Sequence, residues 1–176
     1  NNRTGRELFD AIFLNSPFFD MNISPFLENN VIPSIVRKGE KKPDKLMKGG
    51  LTKWYGYSLH KEQKGEWEYD LTWKPHTPPP VNYGWIKAIR DGQMKVQAGI
   101  SIGKPVLVMH SDKSVYTKKW TDKLFEGDAV LSVADIAAYS KKLQGDVTVK
   151  VIQNGMHDLV LSRPNVREEV YKELFQ

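Results

Sequence analysis

The chain has 176 residues with a net charge of +5, 40% hydrophobic and 27% charged residues, and no cysteine. That length suits one domain with a proper core, and the missing cysteines exclude disulfides, thiolate catalysis and Cys-ligated zinc. No run of about 18 apolar residues is present, so a transmembrane helix is not expected. The lysines and arginines are scattered among acids, as in "RKGEKKPDK" and "HKEQKGE". That pattern reads as a solvated surface and not as a nucleic-acid-binding stripe. The opening "NNRTGRELFD" has neither Met nor the basic-then-apolar pattern of a signal peptide, which favours the cytoplasm without fixing the compartment. The closing "VREEVYKELFQ" stops inside a helical pattern. Both ends are therefore expected to be cut from something longer.

In chain order, "DAIFLNSPFFD" (10–20) is an apolar run with a Ser-Pro stop and predicts a short buried strand. Residues 21–104 differ in character. Four of the five tryptophans, Trp54, Trp67, Trp73 and Trp85, fall there, and "PHTPPP" excludes a central strand or helix interior. This stretch reads as an insertion over the sheet, partly helical and clustered with aromatics. It is either a lid that contacts substrate or a cap with a satellite core of its own, and both can hold. "PVLVMHSDKS" (105–114) then predicts a second strand, and "VTVKVI" (147–152) a third. Between them "SVADIAAYSKKLQG" predicts a helix capped by Ser132 and ended by Gly145. "RPNVREEVYKELFQ" begins another, with Pro164 in its first turn. Strand–helix–strand–helix implies parallel strands with helical crossovers, an α/β architecture.

The chemistry-bearing residues gather late. His157 lies just past the third predicted strand, in "GMHDLVLS", where loops of open α/β sheets form sites. A base there needs a carboxylate to orient it. Asp128, in "FEGDAVLSVADI", precedes it in the order acid, then histidine. Asp112, close behind the second strand, and Asp20, behind the first, are the alternatives. Asp158, directly after the base, is expected to be a structural hydrogen-bonder. The motif search for a nucleophile finds G-x-S-x-G in "GISIG" (99–103). That motif requires a strand before it and a helix after it, and here a strand follows. Ser101 is accordingly read as a decoy, and Ser111 and Ser114 lack elbow context. His60, Glu66, Asp70 and His76 match no compact metal-ligand spacing. Trp54, Tyr55 and Tyr57 read as packing more than as a ligand stack. His110 ends a strand and either lines the pocket or is buried and satisfied.

Taken together, "LNSPFFD", "GEWEYDLTWKP", "PVLVMHSDKS", "DAVLSVADI" and "GMHDLVLS" resemble the C-terminal half of an α/β-hydrolase of the serine-aminopeptidase and monoglyceride-lipase-like branch. The resemblance covers essentially the whole chain and is strongest over its last 72 residues. It implies a core strand in residues 1–20, a lid in 21–104, and the acid and histidine loops in 105–176. It implies a serine ester hydrolase with Asp128 and His157 as acid and base. Phe18, Phe19, His110 and Trp54 are the candidate substrate contacts. No metal or organic cofactor is implied. The nucleophile elbow and oxyanion donors would lie upstream. The expected partners are a small or lipophilic ester, the N-terminal half of the same hydrolase, and, through an open sheet edge, a second copy. A non-enzymatic binding module that keeps the half-fold is the other reading.

Overall fold

A computed structural model of the chain describes residues 8–47 and 52–176. The first seven residues of the 1–20 segment, and residues 48–51 of the insertion, lie outside the described residues. Three parallel strands form the central sheet: β1 (Ile12–Asn15), β3 (Val106–Ser111) and β5 (Val147–Ile152), in the order β1-β3-β5. The register pairs Asn15 with Met109 and Ser111 with Ile152, so the carboxyl ends of all three strands come to one edge.

β3 is the middle strand and is buried on both faces, which is why its sequence is a continuous apolar run. Val106 and Val108 pack with Phe19, Leu131, Ile136 and Leu143. Met109 packs on the opposite face with Ile152, Leu159, Val166 and Val170. The helices that cover these faces are α5 (Val133–Ser140) and α6 (Pro164–Leu174). β1 is less buried than its sequence predicts: it is the edge of the sheet, and Phe13 stays 38% exposed.

The helix predicted over 132–145 is correct at its start and too long at its end. The Ser132 side chain accepts the amide of Asp135, as an N-cap should. The helix stops at Ser140, because β4 (Leu143–Gln144) leaves it to pair in parallel with β2 (Ile100–Ser101). Gly145 is therefore no helix C-cap. It turns the chain into β5 at φ +122°, and a Cβ there would stand 2.4 Å from the Ile102 carbonyl oxygen.

The described residues of 21–104 include α1 (Pro25–Asn30), α2 (Ile32–Lys41), α3 (Trp54–Leu59) and α4 (Tyr83–Gln97), followed by β2. At the near end Val96, Ile100 and Ile102 join the core around Val106 and Val108. Elsewhere Leu59, Phe125 and Met156 form a separate buried cluster, flanked by Tyr55, Trp67, Tyr69 and Trp120. The aromatics of residues 55–69 thus build a satellite core against the loops at the carboxyl edge. No helix among the described residues is long and apolar enough to cross a membrane.

Two glycine substitutions test this account. Gly145→Ala should lower stability by about 1–3 kcal/mol, since it forces a side chain into a strained backbone region and against a carbonyl. Gly92→Ala, on the exposed side of α4 with open space around it, should raise stability by about 0.5–1 kcal/mol. Urea denaturation midpoints of both variants, compared with the parent, give the two signs. A neutral Gly145→Ala would contradict the tight turn.

Candidate active site

The candidate site is built from three chain segments at the carboxyl edge of the sheet. The chain beyond β3 continues almost as a strand. Lys113 accepts the amide of Asp128 at 2.9 Å, and Asp128 accepts the amide of Val115 at 2.7 Å. The Ser114 hydroxyl donates to the Leu131 carbonyl and accepts the Val133 amide. Ser114 is therefore structural, tying the Asp128 loop to the first turn of α5.

Asp128 has no exposed surface. Its Oδ1 accepts two amides, from Val130 and Leu131, each at 2.8 Å. Its Oδ2 lies 3.0 Å from Nδ1 of His157. A carboxylate only accepts, so Nδ1 of His157 is the donor and Nε2 keeps the lone pair. The imidazole is partly exposed, at 25%. The sequence-predicted pair is thus brought together, with the histidine in the tautomer that takes a proton at Nε2.

The histidine loop is held on several sides. Asn154 stands at φ +57°. Its amide donates to Asp112 at 2.7 Å, and its side-chain oxygen accepts from Lys113. A glycine so close before the histidine has a steric reason. A Cβ at Gly155 would meet a Leu159 methyl at 2.5 Å, and Leu159 is fully buried. The Met156 amide donates to Ser162 Oγ. Asp158 is a structural hydrogen-bonder, as expected: Asn15 Nδ2 donates to its Oδ1 at 2.8 Å, while Asn15 Oδ1 accepts the Leu159 amide. The Asp158 amide itself donates to the Tyr55 hydroxyl at 3.1 Å. Asn15 and Tyr55 carry no sequence signal for this, because their partners lie more than one hundred residues away.

The alternative acids are engaged elsewhere. Asp20 is bound by Arg90 at 3.0 Å, and Arg90 also binds Glu28 of α1. Asp112 holds the Asn154 turn and not the imidazole. Phe19 is buried in the main core, and Phe18 stacks on Trp85. Trp54 donates its indole N–H to the Lys118 carbonyl and meets Tyr57 edge-on. His110 is buried, its Nδ1 donating to Ser111 O at 2.7 Å and its Nε2 without a partner among the described residues. The Ser16 hydroxyl, next in register after Asn15–Met109, is likewise buried and unpartnered. Ser111 is buried beneath the Lys113 turn.

Ser101 lies on β2, paired with β4, where both segments precede the strands they lead into. It is therefore at the amino edge of the sheet, opposite Asp128 and His157. A helix, α4, comes before it and a strand after, the reverse of a nucleophile elbow. Of His60, Glu66, Asp70 and His76, only the two histidines meet, edge-on with ring centroids 5.4 Å apart. His60 bonds the Tyr69 carbonyl and the Glu62 amide, Glu66 pairs with Arg167, and Asp70 caps Thr72. Among the described residues no group of three or more His, Asp or Glu could hold a metal.

Beside the Asp128–His157 pair lies a cleft of about 350 Å³, lined by Asn22, Tyr55, Tyr116, Lys118, Leu124 and Val130 among others. Its lining mixes apolar side chains with hydroxyl, amide and ammonium groups. Burial, with the Asp158 carboxylate nearby, pushes the Tyr55 hydroxyl well above the usual tyrosine range.

No family model matches the sequence, and no curated protein matches it. Solved structures do match in fold. The monoacylglycerol lipase of Paleococcus ferrophilus superposes with a TM-score of 0.61 at 13% identity, covering 94% of this chain and 56% of the lipase. A soluble variant of the monoglyceride lipase of Saccharomyces cerevisiae, in complex with a substrate analog, gives a TM-score of 0.58 at 14% identity, covering 94% of this chain and 54% of the lipase. This chain thus spans little more than half the length of the structures it matches, and at these identities the likeness is one of fold.

The Tyr55 environment yields a pH prediction. An unfolded tyrosine loses its proton near pH 10, whereas Tyr55 keeps it when folded. Above that pH the unfolded state binds fewer protons, so stability falls as pH rises through the folded value. Tyr69 and Tyr139 are raised in the same direction by burial and add to the fall. Urea midpoints between about pH 9 and 11 should decline, less steeply in Tyr55→Phe. Equal slopes in the two proteins would show that Tyr55 is not held as described.

Proposed function

We propose that this chain, which has the fold of the C-terminal half of an α/β-hydrolase, supplies the base and acid of a serine ester hydrolase. His157 is the base and Asp128 the acid. The observation that carries the reading is the 3.0 Å contact from Nδ1 of His157 to a fully buried Asp128 carboxylate at the carboxyl edge of a parallel sheet. The nucleophile is assigned to an N-terminal half outside these residues, because the G-x-S-x-G at 99–103 sits at the wrong edge in the wrong local order.

The roles follow from the geometry. A serine placed beside Nε2 gives up its proton to that lone pair as it attacks the ester carbonyl. The resulting imidazolium carries its second proton on Nδ1, against Asp128, which stabilises the charge and holds the ring in one tautomer. The imidazolium then protonates the departing alcohol, leaving an acyl-enzyme. Water, deprotonated by the same nitrogen, releases the acid and restores the serine. The oxyanion donors belong with the elbow on the other half. No metal or organic cofactor enters this scheme.

The substrate class proposed is a lipophilic ester, an acylglycerol among the options. The matched structures are named as lipases of that class. The exposed apolar residues Ile23, Phe26, Leu27 and Val31 around α1 suit a lid over such a substrate. The N-terminal half is proposed to dock on the open edge of β1, covering Phe13 and reaching the buried, unpartnered Ser16 hydroxyl and His110 Nε2. Left uncovered, the same edge would favour self-association. Should the chain work without that half, the reading that remains is a binding module with a hydrolase half-fold.

The test is made on the complete protein that contains these residues, with a short-chain aryl ester and a fluorophosphonate probe. His157→Ala should lower kcat/KM by about 10³-fold or more, and Asp128→Asn by a comparable factor through loss of the correct tautomer. Ser101→Ala should leave both turnover and labelling unchanged. Loss of labelling in Ser101→Ala, or full turnover in His157→Ala, would overturn the assignment. Residues 1–176 alone should neither label nor turn over.

A further inference from the structure

We infer that Tyr55, carried by the inserted segment on α3, is a positioning residue for His157. The inference rests on the reading of His157 as the base and adds to it a part played by the insertion. Three contacts converge. The Tyr55 ring meets the imidazole edge-on, with centroids 5.7 Å apart and planes at 81°. The Tyr55 hydroxyl accepts the amide of Asp158, the residue next to the base, at 3.1 Å. Behind these two, Leu59 of the same helix is buried against Phe125 and Met156, the residue on the other side of His157.

The rest of the 54–69 segment continues the contact. The Trp67 indole N–H donates to the Leu161 carbonyl at 2.9 Å. Glu66 receives Arg167 of α6, whose guanidinium lies 4.7 Å from the centre of the Trp67 ring. Residues 156–161 are therefore bonded to the insertion at both ends. Asp128 fixes one atom of the imidazole, Nδ1, which leaves the ring free to tilt about that hydrogen bond. The Tyr55 ring, packed at right angles, removes that freedom. The described residues of 21–104 thus contain two kinds of chain: α1 and its flanks, with exposed Ile23, Phe26, Leu27 and Val31, and a brace over residues 54–69 that holds the base.

The consequence is measurable on His157 directly, without reference to turnover. In protein labelled at the histidine ring nitrogens, the Nδ1 proton shared with Asp128 should give a protected, downfield resonance. Tyr55→Leu removes the ring and should speed exchange of that proton by about tenfold or more, the scale of one lost interaction. Tyr55→Phe keeps the ring. It should preserve the resonance while speeding exchange of the Asp158 backbone amide by about tenfold through loss of its acceptor. In the ester-hydrolysing protein Tyr55→Leu should lower kcat by about 10–100-fold with KM within about twofold, the pattern of a displaced catalytic group. An unchanged Nδ1 exchange rate in folded Tyr55→Leu, or an unchanged Asp158 amide in Tyr55→Phe, would overturn the inference. If Tyr55→Leu does not fold, the Tyr55→Phe arm decides alone. Failure of the hydrolase reading would show as absent turnover in the parent, and the exchange arms would still report whether Tyr55 holds the ring.

Discussion

A carboxylate with no exposed surface has to find its hydrogen bonds inside the protein, because leaving it unsolvated costs several kcal/mol. Asp128 meets that requirement with two backbone amides on one oxygen and an imidazole N–H on the other. Much of the carboxyl edge is arranged around this need. The two amides come from Val130 and Leu131, so the chain must turn back over the side chain within three residues. That turn delivers Ser132 to the start of α5 as its cap. Asp128 is held in turn by the chain beyond β3, through Lys113, Ser114 and Val115. The third donor must come from another strand, and the parallel register of β3 with β5 puts His157 there.

That arrangement explains why residues that look like candidates by position are occupied elsewhere. Asp112 stands nearest the end of β3, yet its carboxylate is engaged by the Asn154 amide, which fixes the turn leading to His157. Asp20 ends the segment after β1 and is drawn to Arg90, joined there by Glu28. The side chains of this trio are little exposed, with Arg90 at 15%. They link α1 and α4 to the segment after β1. The sheet edge thus holds several carboxylates, and the histidine facing each one, or its absence, sorts them.

The core strands, their parallel order and the Asp128–His157 pair are legible in the sequence because their signals are local. A four-residue apolar run marks β3, a valine-rich stretch marks β5, Ser132 marks the start of α5, and the acid and histidine loops follow in that order along the chain. What is not legible depends on pairs distant in sequence. α5 is shorter than its pattern because Leu143–Gln144 is claimed by Ile100–Ser101, a pairing that nothing near Gly145 announces. Phe13 is exposed because β1 lies at an edge, which periodicity cannot reveal. Asn15 and Tyr55 hold the histidine loop from 143 and 103 residues away. Tyr55 reads as packing from its aromatic neighbours, and packing it is; its neighbour in space is His157.

Asp128 and His157 are held together by contacts within the described residues, and the distribution of those bonds explains how. Among the described residues, the hydrogen bonds that orient Asp128 and His157 come from the Asp128 loop, the β3 extension, the Asn154 turn, Asn15 and Tyr55. None of them needs a strand beyond β1. Among the buried polar atoms that lack partners within the described residues, those of Ser16 and His110 stand at the carboxyl ends of β1 and β3. In a parallel pair alternate amides face opposite sides. Ile12 and Ser16 donate to β3, at Pro105 and Met109, so the amides of Phe13 and Asn15 face the open edge. A strand added there would bond the backbone of the residue whose side chain holds Asp158 and Leu159. Asn15 is thus a hydrogen-bonded link from that edge to the loop that carries His157.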